Sequence, residues 1–259
     1  MPKVIAIANQ KGGVGKTTTS INLSACVAEK GKKVLLIDID PQGNATSGLS
    51  INNHGEKSVY NVLVDDIKIE DAIKPTMIKN FHICTSNIDL AGAEIEMVSL
   101  VSRENRLKNA IEKMENKYDY IFIDCPPSLG LITLNAFTAA DSVIVPIQCE
   151  YYALEGLGQL VNSIKLVKKH LNPDLEIEGV LLTMYDSRTK LSTQVAEEVS
   201  KYFGEKVFNT VIPRNIRLSE APSHGLPISM YDPLSKGART YKKLAKELIN
   251  NNKEEKIGG

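Results

Sequence analysis

The stretch "KVIAIANQKGGVGKTTTSINLS" (3–24) constrains the fold more than any other part of the chain. An apolar, β-branched run turns through Gly12, Gly13, Val14 and Gly15 and passes directly into a helical pattern, with Lys16, Thr17 and Thr18 at the junction. Glycines let the backbone curl so that successive N–H groups converge on one point. The helix that follows adds partial positive charge at its N-terminus. Strand before, helix after and Gly-Lys-Thr between them imply a phosphate loop rather than an ordinary glycine-rich turn. In such a loop Lys16 reaches the β- and γ-phosphates of a nucleotide and the Thr17 hydroxyl holds Mg²⁺. The loop nevertheless departs from G-x-x-x-x-G-K-[ST]. Gln10 stands where the first glycine belongs, and a second lysine, Lys11, precedes Gly12.

The rest of the chain repeats the same alternation. Short apolar runs predict strands over 3–9, 33–40, 81–86, 118–127, 142–148 and 177–185, and helical patterns occupy 16–30, 103–116 and 153–170. Continuous apolar strands separated by helices imply an α/β doubly wound, mostly parallel sheet with helices on both faces. At 259 residues with 42% apolar content the chain can bury one substantial core. No Pro/Gly/Ser linker interrupts it, so residues 1–250 read as a single domain followed by a polar tail, 251–259. Ligands in such sheets bind outside the carboxyl ends of the strands.

Two further strand ends carry carboxylates. "KVLLIDID" delivers Asp38 and Asp40 ahead of the turn "PQGN", and "YIFID" delivers Asp124 ahead of two prolines. Carboxylates beside a triphosphate hold Mg²⁺ or orient an attacking water. Strand-end aspartates also cap turns. Asp40, nearer the open end, is the stronger catalytic candidate, and Asp38 suits a supporting role.

Composition excludes several classes. The N-terminus lacks a signal-type apolar core, and no apolar run is long enough to cross a bilayer, so a cytosolic protein is expected. Cys26, Cys84, Cys125 and Cys149 are widely spaced and suit neither zinc nor a disulfide framework. Net charge is zero, yet residues 185–246 hold eleven Lys/Arg against six Asp/Glu. Within "PLSKGARTYKKLAKELI", Lys236, Arg239, Lys243 and Lys246 share one helical side, with Tyr241, Leu244, Ala245 and Leu248 on the other. Such a ridge serves DNA phosphates or is simply a solvated face.

"KGGVGKTT", "LLIDIDPQGN" and "IFIDCPPSLG" together resemble the deviant Walker A ATPases, and within them the ParA/Soj partition proteins. "QCEYYALEGL" (148–157), "MYDSRT" (184–189) and "IPRNIRLSEAPSHGLPI" (212–228) extend the resemblance over nearly the whole chain. The resemblance implies that Lys11 reaches across a nucleotide-sandwich homodimer to the partner's ATP, with Gly12 keeping the two loops close. It makes Asp40 the residue that orients the hydrolytic water, also near the metal, and Thr17 and Asp124 the Mg²⁺ residues. Pro213, Arg214 and Tyr185 correspond to the region cradling adenine. Arg188 and Arg217 join the helical ridge as DNA contacts. The implied partners are non-specific double-stranded DNA and a ParB/Spo0J-like centromere-binding protein, and the implied location is the nucleoid. The ATP loop starts at residue 11, which leaves no preceding DNA-reading domain and makes site-specific autorepression unexpected.

Three competing classes share the loop. A MinD-like membrane-positioning ATPase needs an amphipathic C-terminus, whereas this chain ends "NNNKEEKIGG". An iron–sulfur reductase needs cysteines that meet at a cluster, and Cys125 is followed by Pro126 and Pro127. A metabolic ATP-dependent ligase such as dethiobiotin synthetase needs a carboxylate site and gives Lys11 no task.

Overall fold

The computed structural model describes residues 1–53, 55–115, 117–150 and 157–258. Seven strands form one sheet: β1 Lys3–Ile7, β2 Val34–Asp38, β3 Ile73–Pro75, β4 Phe81–Cys84, β5 Tyr120–Asp124, β6 Ser142–Gln148 and β7 Glu176–Thr183. Their spatial order is β3-β4-β2-β5-β1-β6-β7. Every pairing is parallel except β3 with β4. The helices are α1 Lys16–Glu29, α2 Asn44–Ser47, α3 Val59–Val64, α4 Leu90–Glu96, α5 Arg106–Glu112, α6 Leu131–Ala139, α7 Leu157–His170, α8 Lys190–Phe203, α9 Ile216–Glu220, α10 Ile228–Tyr231 and α11 Lys236–Gly258.

Strand alternation sorts the apolar residues into two cores. Val4, Ala6, Leu35, Ile37, Ile121 and Ile123 face α3 to α8. Ile5, Ile7, Val34, Leu36, Tyr120 and Phe122 face α1 and the closing helices α9 to α11. A strand buried on both faces cannot show polar–apolar alternation, which is why these strands read as continuous apolar runs. Helix α1 is buried along one unbroken stretch from Thr19 to Ala28, because the sheet covers one side and α11 the other. Its Ser, Thr and Ala residues permit that close double packing.

The structure departs from the sequence reading at several elements. Strand β3 is a three-residue antiparallel edge with no periodicity to reveal it. Helices α6 and α8 were not read from the sequence. In α6, "LITLNAFTA" is apolar on nearly every side and carries no stripe. The helix expected over 103–116 is a short 3₁₀ turn, Arg103–Asn105, followed by α5. The helix expected from 153 is described from Leu157, and residues 153–156 lie outside the described residues. Residues 251–258 continue α11, because no helix breaker intervenes before Gly258. Asn252 within that extension is buried and donates to Glu178 Oε1 at 2.7 Å.

Helix α11 docks by Tyr241, Leu244, Ala245 and Leu248, all with 1% exposure or less, and turns Lys236, Arg239, Lys243 and Lys246 to solvent. Leu244→Ala should lower unfolding free energy by about 2–5 kcal/mol. Lys246→Ala, on the outer face, should change it by less than about 0.5 kcal/mol. Urea denaturation of the two variants measures the contrast.

Candidate nucleotide site

Strand β1 ends at Ile7, and the chain turns through Asn9 to Gly15 before α1 begins at Lys16. Gly13 and Gly15 adopt φ of +73° and +87°, left-handed conformations that L side chains rarely tolerate. Contacts from other strands and bonds within the loop itself brace it. Asn9 donates from Nδ2 to the Pro146 carbonyl at 2.7 Å and accepts from Lys11 N–H at 3.0 Å. Thr183 Oγ1, at the end of β7, donates to the Val14 carbonyl at 2.8 Å. Lys16 Nζ curls back onto the Lys11 carbonyl at 3.1 Å. The loop is therefore shaped before any ligand arrives, its N-terminal helix dipole and amides directed at one cradle.

The parallel register brings the other strand ends level with it. Asp124 pairs with Ile7 across β5–β1 and with Asp38 across β5–β2. Both carboxylates are fully buried. Asp38 is consumed by its surroundings. Its Oδ2 accepts from Thr46 N–H at 2.8 Å and from Thr46 Oγ1 at 2.7 Å, and its Oδ1 accepts from Asp40 N–H at 3.2 Å. Asp124 is only half satisfied. Its Oδ1 accepts from Ser20 Oγ at 2.8 Å, while its Oδ2 is buried without a hydrogen-bond partner. Burial first, and then the facing Asp38, pushes the Asp124 carboxyl well above the usual range. Asp38 is raised too, chiefly by burial, with the Thr46 bonds opposing. Lys16 is pulled the other way: burial lowers its ammonium, and Asp124 is the largest opposing charge.

An unpartnered buried carboxylate oxygen beside a cationic loop is an arrangement that a divalent cation satisfies. Thr17 and Asp124 would hold Mg²⁺, directly or through water, and the cation would supply charge neutralisation between β- and γ-phosphates. The donors are hard oxygens, as magnesium requires. Among the described residues no group of three or more His, Cys, Asp or Glu is placed to hold a metal ion.

Two cavities meet at the loop. One, of about 380 Å³, is lined by Gly12, Gly13, Gly15, Lys16, Thr17, Thr18 and Asp40, with Pro127 opposite. The second, of about 400 Å³, starts at Gly15 and Thr18 and is walled by Ile212, Pro213, Arg214 and Leu218, with Tyr241 at its floor. A polar phosphate cradle joined to a more apolar slot matches the two halves of a nucleotide. Pro213 and Arg214, expected near adenine, line this second slot. Tyr185 does not line this slot. It lies on a neighbouring depression with Arg188, Arg214 and Lys236, and its backbone pairs with Ile212 and Arg214, aligning the segment that forms the wall. Asp40 sits at the rim of the phosphate cavity, outside strand β2, its Oδ1 accepting from Gln42 N–H at 3.0 Å.

The basic candidates divide into two kinds. Lys236, Arg239, Lys243 and Lys246 are exposed on α11, and no carboxylate pairs with them among the described residues. Arg188 is held by Asp186 in a two-bond fork, at 2.9 and 2.7 Å. Arg217 bonds Glu220 at 2.8 Å and approaches Asp232 at 3.6 Å. All four cysteines are buried and unpaired. Sequence reasoning missed Asn9, Ser20 and Thr183. Ser20, one helical turn after Lys16, carried a usable signal; Thr183 becomes relevant only through the fold.

Lys16→Ala should weaken binding of the magnesium–nucleotide complex roughly 10- to 100-fold, the loss expected for one charge-assisted contact. Asp124→Asn should abolish the gain in affinity that Mg²⁺ confers while leaving metal-free binding intact. Titration of a fluorescent ATP analogue, with and without Mg²⁺, checks both.

Comparison with known proteins places this geometry in context. The model of a family described as an AAA domain matches residues 2–177. The sporulation initiation inhibitor protein Soj of Bacillus subtilis (strain 168) is 65% identical over 252 residues, covering 97% of this chain and 100% of that protein. The chromosome-partitioning ATPase Soj of Treponema pallidum (strain Nichols) is 51% identical over 249 residues, covering 96% and 98%. A solved structure of cobyrinic acid a,c-diamide synthase from Mycobacterium smegmatis, with bound ADP and magnesium, superposes with a TM-score of 0.86 at 40% identity, covering 98% of this chain and 96% of that one. From the deviant loop, the level strand-end carboxylates and these full-length likenesses, it follows that the chain belongs to the ParA/Soj family of deviant Walker A ATPases.

Proposed function

We propose that this ATPase is a dimerising switch of chromosome or plasmid segregation. ATP with Mg²⁺ joins two copies, the joined pair binds double-stranded DNA without sequence preference, and a ParB/Spo0J-like centromere-binding protein stimulates hydrolysis and release. The observation that carries the reading is the packing of α1 directly against α11. The helix that springs from the phosphate loop and the helix that bears the unpaired basic ridge share one buried interface.

Two features support the dimer. Lys11 is half-exposed at the mouth of the loop, and among the described residues no carboxylate pairs with it. A mobile ammonium in that position suits a second copy's triphosphate. Gly12 has no positive φ, and a Cβ built there would meet nothing within 4 Å. Any demand for glycine at that position therefore comes from outside the chain. Asp40 is the residue to orient the hydrolytic water, since it alone of the three aspartates is at the cavity rim with a carboxylate oxygen to spare.

The charge pattern favours phosphate contact over base readout. The α11 ridge is ready to bind. Arg188 and Arg217 must first exchange their local carboxylates for phosphates, an exchange that exposed pairs make readily.

Asp40→Ala should slow hydrolysis roughly 10²- to 10⁴-fold and so hold the ATP state. That variant should bind non-specific duplex DNA with ATP and not with ADP, and binding should weaken steeply with salt. Replacing Lys243 or Lys246 by Ala should each lower the log–log salt slope by about one. Filter binding at low and moderate salt reads all of this. No DNA binding with either nucleotide would sink the reading and direct attention to liposomes and small carboxylate substrates. A salt-insensitive complex would also count against it.

A further inference from the structure

The turn that carries Asp40 is held by a loop residue far away in sequence. Ser86 lies two residues past β4 and is 3% exposed. Its Oγ donates to the Asp40 carbonyl at 2.7 Å, across 46 positions of chain. Its N–H donates to Thr46 Oγ1 at 3.0 Å, and that hydroxyl in turn donates to Asp38 Oδ2. The Ser86 carbonyl stands against Gly43, where an added Cβ would come within 3.5 Å, and Gly43 N–H closes the turn onto the Asp40 carbonyl at 2.8 Å. One residue therefore touches the turn at its start, its middle and, through Thr46, its exit.

Within its own segment Asp40 is tied by its N–H, which donates to Asp38 Oδ1 at 3.2 Å, and by Gly43 N–H on its carbonyl. It lies beyond the end of β2, so the sheet ladder does not reach its carbonyl. Its carboxylate accepts from Gln42 N–H, two residues on in the same turn. Ser86, in the loop after β4, is the tie to the Asp40 backbone that comes from another part of the chain, and it bears on the direction of the carboxylate.

We infer that Ser86 is a positioning residue for ATP hydrolysis, acting through Asp40 and making no contact with nucleotide or metal. The inference rests on the assignment of Asp40 as the water-orienting carboxylate. Small displacements of an orienting group are costly to the chemical step and leave ground-state binding untouched. Ser86→Ala removes the Oγ donor, while the buried Asp40 carbonyl keeps its bond from Gly43. The turn is loosened, not dismantled.

The test is single-turnover hydrolysis by full-length protein carrying Ser86→Ala, alone and together with Asp40→Ala, with titration of a fluorescent ATP analogue alongside. Ser86→Ala alone should slow hydrolysis by about tenfold, with nucleotide affinity within about twofold of the parent. In the Asp40→Ala background it should slow hydrolysis no further, because the group it positions is gone. Ser86→Thr, which keeps the hydroxyl, should recover most of the rate. A parental rate in Ser86→Ala would overturn the proposal, as would an equal loss of affinity and rate, or a tenfold loss that persists in the double variant. If Asp40→Ala alone hydrolyses at the parental rate, the assignment of Asp40 fails, and that outcome is separate from the others.

Discussion

Level registration of three central strands is the constraint on which the site depends. Parallel pairing puts Ile7, Asp124 and Asp38 in one row at the carboxyl edge of the sheet. A turn leaving β1 at that row meets two carboxylates side by side. Burying two acids together is costly unless charge or hydrogen bonds compensate. Thr46 satisfies one of them, and Asp124 is left partly unsatisfied. The local shortage of positive charge is what makes the pocket receptive to Lys16 and a magnesium–nucleotide complex.

The same economy explains the helices on the second face. Helix α1 must begin at the loop to lend its dipole to the phosphates, so its length carries that end of the molecule back across the sheet. Helix α11 then covers it. Tyr241 joins the two helices through its hydroxyl, 3.2 Å from Thr19 Oγ1, and its ring also floors the slot beside the phosphate cradle. Asn22 ties α1 to α10, accepting from Ile228 N–H at 2.7 Å while donating to the Thr18 carbonyl within its own helix. Nucleotide site and basic ridge are thus built on shared packing.

Much of this was legible from residues. The glycine-rich turn with its Lys-Thr junction announced the loop, because few other uses exist for that combination between strand and helix. The β-branched runs announced six of the seven strands, since burial on both faces leaves no polar positions in them. The final helix read clearly: Lys236, Arg239, Lys243 and Lys246 do face outward, and the apolar stripe does dock. Helix α6 was opaque for the opposite reason, being apolar on nearly all sides. Strand position alone separates Asp38 from Asp40 only loosely, and the hydrogen bonds of Thr46 show why Asp38 is occupied.

By itself the sequence determined the class of fold, the phosphate loop, the carboxylates at the strand ends and the basic face of the last helix. Each of these is local, encoded by side-chain chemistry within one or two elements. The tertiary structure decided what depends on neighbours distant in the chain. It levelled Asp38 with Asp124, kept Tyr185 off the slot that Pro213 and Arg214 line, paired Arg188 and Arg217 with their own carboxylates, and brought Ser86 onto the Asp40 turn. Parallel sheets connect strands through long crossovers, so their closest contacts fall between residues that no local pattern can join.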